Sequence, residues 1–255
     1  MKGFFVAGTD TGVGKTEVGR ALCALLARRG LRPVALKPVE TGCDPAKPDD
    51  ALALRAACGP PGDALPLDRV CPFRFRMAAA PLVAGLAEGR AVDLMLIEAL
   101  VERAGYEGVP IVVEAAGGLL VPLASETAAR NIEQADPADR QASSALVTNL
   151  DLAERLGLPV VLVGRAGLGT INHCALSAAA LERQGLDLSA IVLNRVGPDD
   201  DPSVASNARW VSELTGARVL GPTPFLSEPR ARLGALVAVL DAVMPQSVDT
   251  PGVRR

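Results

Sequence analysis

Residues Gly8 to Thr16 read GTDTGVGKT, directly after a short apolar run, Phe4 to Ala7, and directly before a helical pattern that begins near Glu17. A glycine-rich segment between a strand and a helix can curl its backbone N–H groups around an anion. Lys15 adds a point positive charge for the outer phosphates, and the Thr16 hydroxyl is a ligand for Mg²⁺. The strict G-x-x-x-x-G-K-[ST] spacing fails by one position, because Thr9 stands where the first glycine belongs and Gly8 comes one residue earlier. The feature is a variant phosphate-binding loop, and it commits the first strand and first helix to the two sides of an anion site.

Downstream, short β-rich runs alternate with longer segments of helical period. Strands are predicted at Phe4–Ala7, Pro33–Lys37, Val109–Glu114, Pro159–Gly164, Ala190–Asn194 and Arg218–Leu220. Helices are predicted near 16–29, 49–57, 79–88, 92–104, 150–157, 170–184, 203–215 and 230–243. The runs IVVE, VVLV and AIVLN are apolar throughout, as expected of parallel strands covered on both faces. Gly30, Gly105, Gly157, Gly185 and Gly216 stand where helix C-terminal turns need a residue at positive φ. The expected fold class is α/β, a doubly wound and mostly parallel sheet. With 255 residues, 49% of them apolar, the chain can bury one such core. Residues 1–245 are expected to form a single domain with a polar insertion at about 126–144, and 246–255 a C-terminal tail.

A net charge of −3 without a run of basic residues points to neither nucleic acid nor an anionic membrane surface. Five cysteines form no C-x-x-C pair or Cys/His cluster for zinc and read as reduced cytosolic thiols. The apolar start ends too early for a signal-peptide core, and no stretch of about 18 apolar residues follows, so a cytoplasmic protein is expected.

Ligands of such sheets bind beyond the carboxyl ends of the strands. Glu114, closing IVVE, is a candidate Mg²⁺ ligand, because a carboxylate on a buried strand is costly unless it meets a cation. Asp50, heading DDALAL, is either a second ligand or a helix cap. Lys37 leaves the same sheet edge as the loop and either joins Lys15 in neutralising a transferring phosphoryl group or snorkels to solvent. Thr41 offers its hydroxyl to a substrate or to the backbone. Gly169, Thr170, Ile171 and Asn172 open a helix whose free N–H groups suit a carboxylate or phosphate. His173, the only histidine, has no Asp or Cys partner in view and reads as structural.

Taken in order, GTDTGVGKT, KPVETG, DDALAL, VEAAGG, LGTINH, an Asn ending the fifth strand and PTPFL resemble the dethiobiotin synthetases, over residues 1 to about 226. The resemblance implies a P-loop NTPase-like three-layer αβα fold, a homodimer, and a ligase. That ligase carboxylates 7,8-diaminononanoate with CO₂ or bicarbonate and closes the ureido ring of dethiobiotin at the expense of Mg-ATP. It implies that Gly12, Val13, Gly14, Lys15, Thr16 and Glu17 wrap the phosphates, that Thr16, Asp50 and Glu114 hold Mg²⁺, and that Lys15 and Lys37 are catalytic. Ala115, Ala116 and Gly117 would complete the ATP site, with Asn194 and Arg195 at the adenine and Pro224, Phe225 and Leu226 lining its pocket. Thr41 would meet the diamine, and Gly169 to Asn172 would hold the substrate carboxylate across the dimer interface. The chain departs from the family with Thr41 for a frequent serine, no acidic side chain at Gly12, Arg195 where an Asp can stand, and a longer 126–144 stretch. A cobyrinic acid diamide synthase-like amidoligase would need a glutaminase domain with a reactive Cys and a His. A Min/Par-type switch ATPase would carry lysine at position 10, which here is Asp10.

Overall fold

The computed structural model describes residues 3–125, 146–198 and 201–241. The polar stretch at 126–144 and the 246–255 tail therefore lie outside the described residues. In chain order the strands are β1 (Gly3–Gly8), β2 (Val34–Leu36), β3 (Val39–Thr41), β4 (Phe73–Phe75), β5 (Ile111–Gly118), β6 (Pro122–Ser125), β7 (Leu146–Thr148), β8 (Val160–Arg165), β9 (Leu188–Asn194) and β10 (Val219–Leu220). The helices are α1 (Lys15–Arg28), α2 (Asp49–Ala57), α3 (Leu67–Val70), α4 (Pro81–Ala87), α5 (Leu94–Tyr106), α6 (Asn149–Leu156), α7 (Thr170–Arg183), α8 (Val204–Thr215) and α9 (Pro229–Asp241).

Six strands form one sheet in the order β10-β9-β8-β1-β5-β2, and every neighbouring pair is parallel. Alternate residues point to opposite faces. Phe5, Val113, Leu162 and Ile191 pack on one side with residues of α5, α6 and α7, while Val6, Val112, Val161 and Val192 pack on the other with α1 and α9. That division makes the three-layer αβα architecture. Each such side chain taken fully from water stabilises the fold by about 1.5–3 kcal/mol, which is why these strands read as unbroken apolar runs. No helix among the described residues is long and apolar enough to cross a membrane.

The six strands of this sheet fall where they were predicted, with three differences of detail. Gly105 does not end its helix. α5 starts after Asp93, whose side chain accepts from Met95 N and Leu96 N, and it runs through Gly105 to Tyr106. The positive φ falls at Gly108, at 68°, whose N–H returns to Gly105 O while Val109 N bonds Ala104 O. Two glycines were available, and the later one closes the turn. Second, β5 continues to Gly118, so Glu114 sits within a strand, level with Val6 of β1. Third, part of KPVETG is itself a short strand, β3, paired in parallel with β4.

The chain leaves β1 toward β2 at one edge and leaves β5 toward β8 on the other side of β1. The crevice between the carboxyl ends of β1 and β5 is the switch point, and the phosphate loop lies directly beside it.

Candidate active site

The loop between β1 and α1 is shaped by glycine where no other residue fits. Gly14, the residue before α1, has φ 95°, and a Cβ there would overlap Asn194 Nδ2. Val13 is fully buried and anchors the loop, and Val18 N bonds Gly14 O as the helix begins. Lys15 folds back so that its Nζ donates to Asp10 O at 2.8 Å, across the concave side of the loop. Burial, and then the nearby Lys37 charge, push the Lys15 ammonium down to about 8. The Glu17 carboxylate is engaged by Arg20 at 3.0 Å.

Beside the loop lies a buried charge cluster. The Lys37 ammonium donates to Glu114 Oε1 and, at 3.2 Å, to Asp50 Oδ2, while Thr16 Oγ1 donates to Glu114 Oε1 at 2.9 Å. Lys37 is 4% exposed and Glu114 not at all, so Lys37 does not snorkel. Burial alone would lower the Lys37 ammonium, but the Glu114 and Asp50 charges outweigh it and hold it above its ordinary value. Four groups, from the residue after β2 and from α1, α2 and β5, thus meet at one point.

Asp50 is not the cap of α2. That helix follows Pro48 with no side-chain cap of its own. Its first N–H groups are taken by Glu40 of β3, with Asp50 N donating to Oε1 at 3.2 Å and Ala51 N to Oε2 at 2.9 Å. Burial raises the Glu40 carboxyl above its usual range, against the pull of those two N–H donors. Glu40 is a residue the sequence reading passed over. Its only local sign is an acid three residues after Lys37, with the helix it serves ten residues away. Asn149 was missed too. Its Nδ2 donates to Ala116 O at 2.7 Å and Gly118 O at 2.8 Å, fixing the end of β5 that borders the crevice. Ala115 is buried in the core and does not line the site.

Thr16, Lys37, Glu40, Asp50 and Glu114 line an open cleft of about 640 Å³, which runs from the phosphate loop past Lys37 and Thr41 to a wall at Ala78–Pro81 and Gly117. At the far side of the loop, Asn194 ends β9 and its Nδ2 donates to Val13 O at 3.0 Å. Pro224, Phe225 and Leu226 follow β10, held by Arg232, which stacks on the Phe225 ring at 5.2 Å and donates from Nε to Leu226 O at 2.8 Å. Arg195 is half-buried beside them.

The cleft brings together Gly12, Gly14, Lys15, Thr16, Lys37, Thr41, Asp50, Glu114 and, at the end of β5, Ala116 and Gly117, whereas Val13, Glu17, Asn194, Arg195 and Pro224 to Leu226 do not line it. Nor does any of Gly169 to Asn172 line it. The α7 start stands apart, with Gly169 at φ 89° and no side-chain cap. Its loop is held from α8 and the turn before it, where Asp201 Oδ2 accepts Leu168 N at 2.6 Å and Asn207 Nδ2 donates to Ala166 O at 2.8 Å. His173 is exposed on α7.

Chemically the cleft offers an anion cradle, two ammonium groups and a set of hard oxygen donors. The Thr16 hydroxyl and the Asp50 and Glu114 carboxylates belong to one cluster around the Lys37 ammonium, and Glu114 Oε2 is buried without a hydrogen-bond partner among the described residues. That donor set fits Mg²⁺.

A family model described as AAA domain matches residues 2–135 and 132–231. The chain is 44% identical over 242 residues to a protein named ATP-dependent dethiobiotin synthetase BioD from Anaeromyxobacter dehalogenans (strain 2CP-C), covering 95% of this chain and 98% of that one. A protein of the same name from Anaeromyxobacter sp. (strain Fw109-5) is 44% identical over 220 residues, covering 86% and 88%. The Bacillus subtilis (strain 168) protein of that name is 31% identical over 227 residues, covering 89% of each chain.

Proposed function

The chain belongs to the ATP-dependent dethiobiotin synthetase family, and we propose that its cleft joins 7,8-diaminononanoate to CO₂ by way of a phosphorylated carbamate. It is an ATP-dependent ligase. The observation that best supports the detailed reading is the meeting of Lys37, Thr16, Asp50 and Glu114 beside a phosphate loop, with Thr41 further along the same cleft.

In this reading one substrate amine captures CO₂ as a carbamate, and a carbamate oxygen attacks the γ-phosphorus of ATP as the bond to the β-phosphate oxygen breaks, releasing ADP. The neighbouring amine then attacks the carbonyl carbon of the mixed anhydride, closes the ring, loses a proton and expels phosphate. No protein nucleophile is consumed, so positioning and charge stabilisation carry the rate. Backbone N–H groups from Gly12 to Glu17 cradle the phosphates. Lys15, released from Asp10 O, follows the charge of the γ-phosphoryl group, and Lys37 meets the oxygens that gain charge in transfer. Thr16, Asp50 and Glu114 hold Mg²⁺, which when bound neutralises phosphate oxygens and fixes their orientation. The Thr41 hydroxyl orients the diamine or its carbamate.

Asn194 reads the adenine, with Arg195 at its edge and Pro224, Phe225 and Leu226 as the pocket wall. The α7 start, Gly169 to Asn172, serves the substrate carboxylate of a second copy's cleft. The exposure of neighbouring Leu168, at 85%, supports such a dimer contact. Part of the same proposal is that the single domain works in the cytoplasm without nucleic acid or membrane.

ADP release by the purified protein is expected to require both bicarbonate and 7,8-diaminononanoate. ATP hydrolysis at the same rate without the diamine would contradict the reading.

A further inference from the structure

We propose that Thr223 is a positioning residue for the nucleotide, tying the base-pocket segment to the phosphate loop through Asn194. The proposal rests on the reading of this cleft as a nucleotide site. Thr223 is 1% exposed and lies between β10 and Pro224, with its N–H pinned to Leu193 O at 2.9 Å. Its hydroxyl lies 2.8 Å from Asn194 Oδ1 and 3.3 Å from Arg195 N. On the other side, Asn194 Nδ2 reaches Val13 O at 3.0 Å.

The direction of every bond in this chain is determined. Val13 O can only accept, so the Asn194 amide must turn its NH₂ group toward the loop and its oxygen toward Thr223. Arg195 N–H can only donate, so it takes a lone pair of the Thr223 hydroxyl, and the hydroxyl hydrogen goes to Asn194 Oδ1. Thr223 thereby secures the oxygen end of the amide in the orientation that Val13 O sets. The loop is held at the nitrogen end by the bond to Val13 O, and Asn194 Nδ2 approaches Gly14 so closely that a Cβ there would overlap it. A carboxamide carries two hydrogens and two lone pairs, and these bonds use one of each. One N–H and one lone pair remain, the donor and acceptor types that an adenine edge takes. One buried hydroxyl therefore orients the same amide for the base and for the phosphate loop.

Valine at 223 keeps the shape and removes the hydroxyl, leaving Asn194 Oδ1 and Arg195 N without it and the amide able to turn. Thr223→Val is expected to raise the Kd for MgADP, read by calorimetry, about tenfold. Thr223→Ser keeps the hydroxyl and should bind within roughly twofold of the parent. In an Asn194→Ala background, Thr223→Val should add no more than about twofold, because its effect passes through the amide. A merely structural threonine would instead lower stability in both backgrounds and leave Kd unchanged. Should the valine variant fail to fold, Thr223→Ala gives the same reading. A valine or alanine variant that binds MgADP like the parent overturns the proposal, as does a serine variant as weak as the valine one. A parent that binds no MgADP would overturn the nucleotide reading itself.

Discussion

Lys37→Ala is expected to slow dethiobiotin formation by about 10²–10³-fold and to destabilise the fold by about 3–5 kcal/mol, two effects with separate causes. The kinetic loss follows from removing a preorganised ammonium in a water-poor site where charge develops on the transferring phosphoryl group. The stability loss follows from burial. Glu114 is fully buried, and without Lys37 its carboxylate retains only the Thr16 hydroxyl among the bonds of the cluster. Leaving one member of a buried pair uncompensated costs more than the intact pair contributes. The two effects should separate in the Lys37→Ala, Glu114→Gln double variant. Removing the orphaned charge restores much of the stability in chemical denaturation, and the rate stays low. A single variant with both parental stability and parental rate would remove Lys37 from the account.

Gly14→Ala should weaken MgADP binding by about two orders of magnitude, and Gly12→Ala by far less. Both glycines have positive φ, 95° and 72°, so both substitutions carry the left-handed cost of about 1–2 kcal/mol. They differ in surroundings. A Cβ at Gly12 meets nothing within 4 Å, whereas one at Gly14 overlaps Asn194 Nδ2, which must move or push the loop away. A displacement on the order of 1 Å in a positioning element can cost about 100-fold. Calorimetric titration of the two variants side by side isolates the contact from the strain. Equal losses in both would mean that the Asn194 contact contributes nothing.

Much of this site was legible because parallel strands covered on both faces read as continuous apolar runs, and their carboxyl ends form a row. Once Phe4–Ala7, Pro33–Lys37 and Val109–Glu114 were strands of one sheet, Lys15, Lys37 and Glu114 had to leave the same edge. Asp50 remained ambiguous, because an acid at a helix start has two uses. Its role as something other than a cap depended on Glu40, which reaches Asp50 N and Ala51 N from another strand. Contacts of this kind leave no local periodicity. The same holds for Asn149, whose partners Ala116 and Gly118 lie about thirty residues earlier, and for Thr223 below Asn194. The pairs β3–β4 and β6–β7 were missed because strands of three or four residues carry too little pattern to outweigh their surroundings. Gly105 and Gly108 could each have ended α5, and only the backbone geometry chose between them.

We expect one cleft both to phosphorylate a carbamate and to close a ureido ring. The most direct test supplies the purified protein with Mg-ATP, ¹³C-bicarbonate and 7,8-diaminononanoate, and follows the products by mass. Dethiobiotin carrying the label in its ureido carbonyl is expected, with one ADP and one phosphate released per ring closed. ATP consumed with no labelled dethiobiotin formed would contradict that expectation.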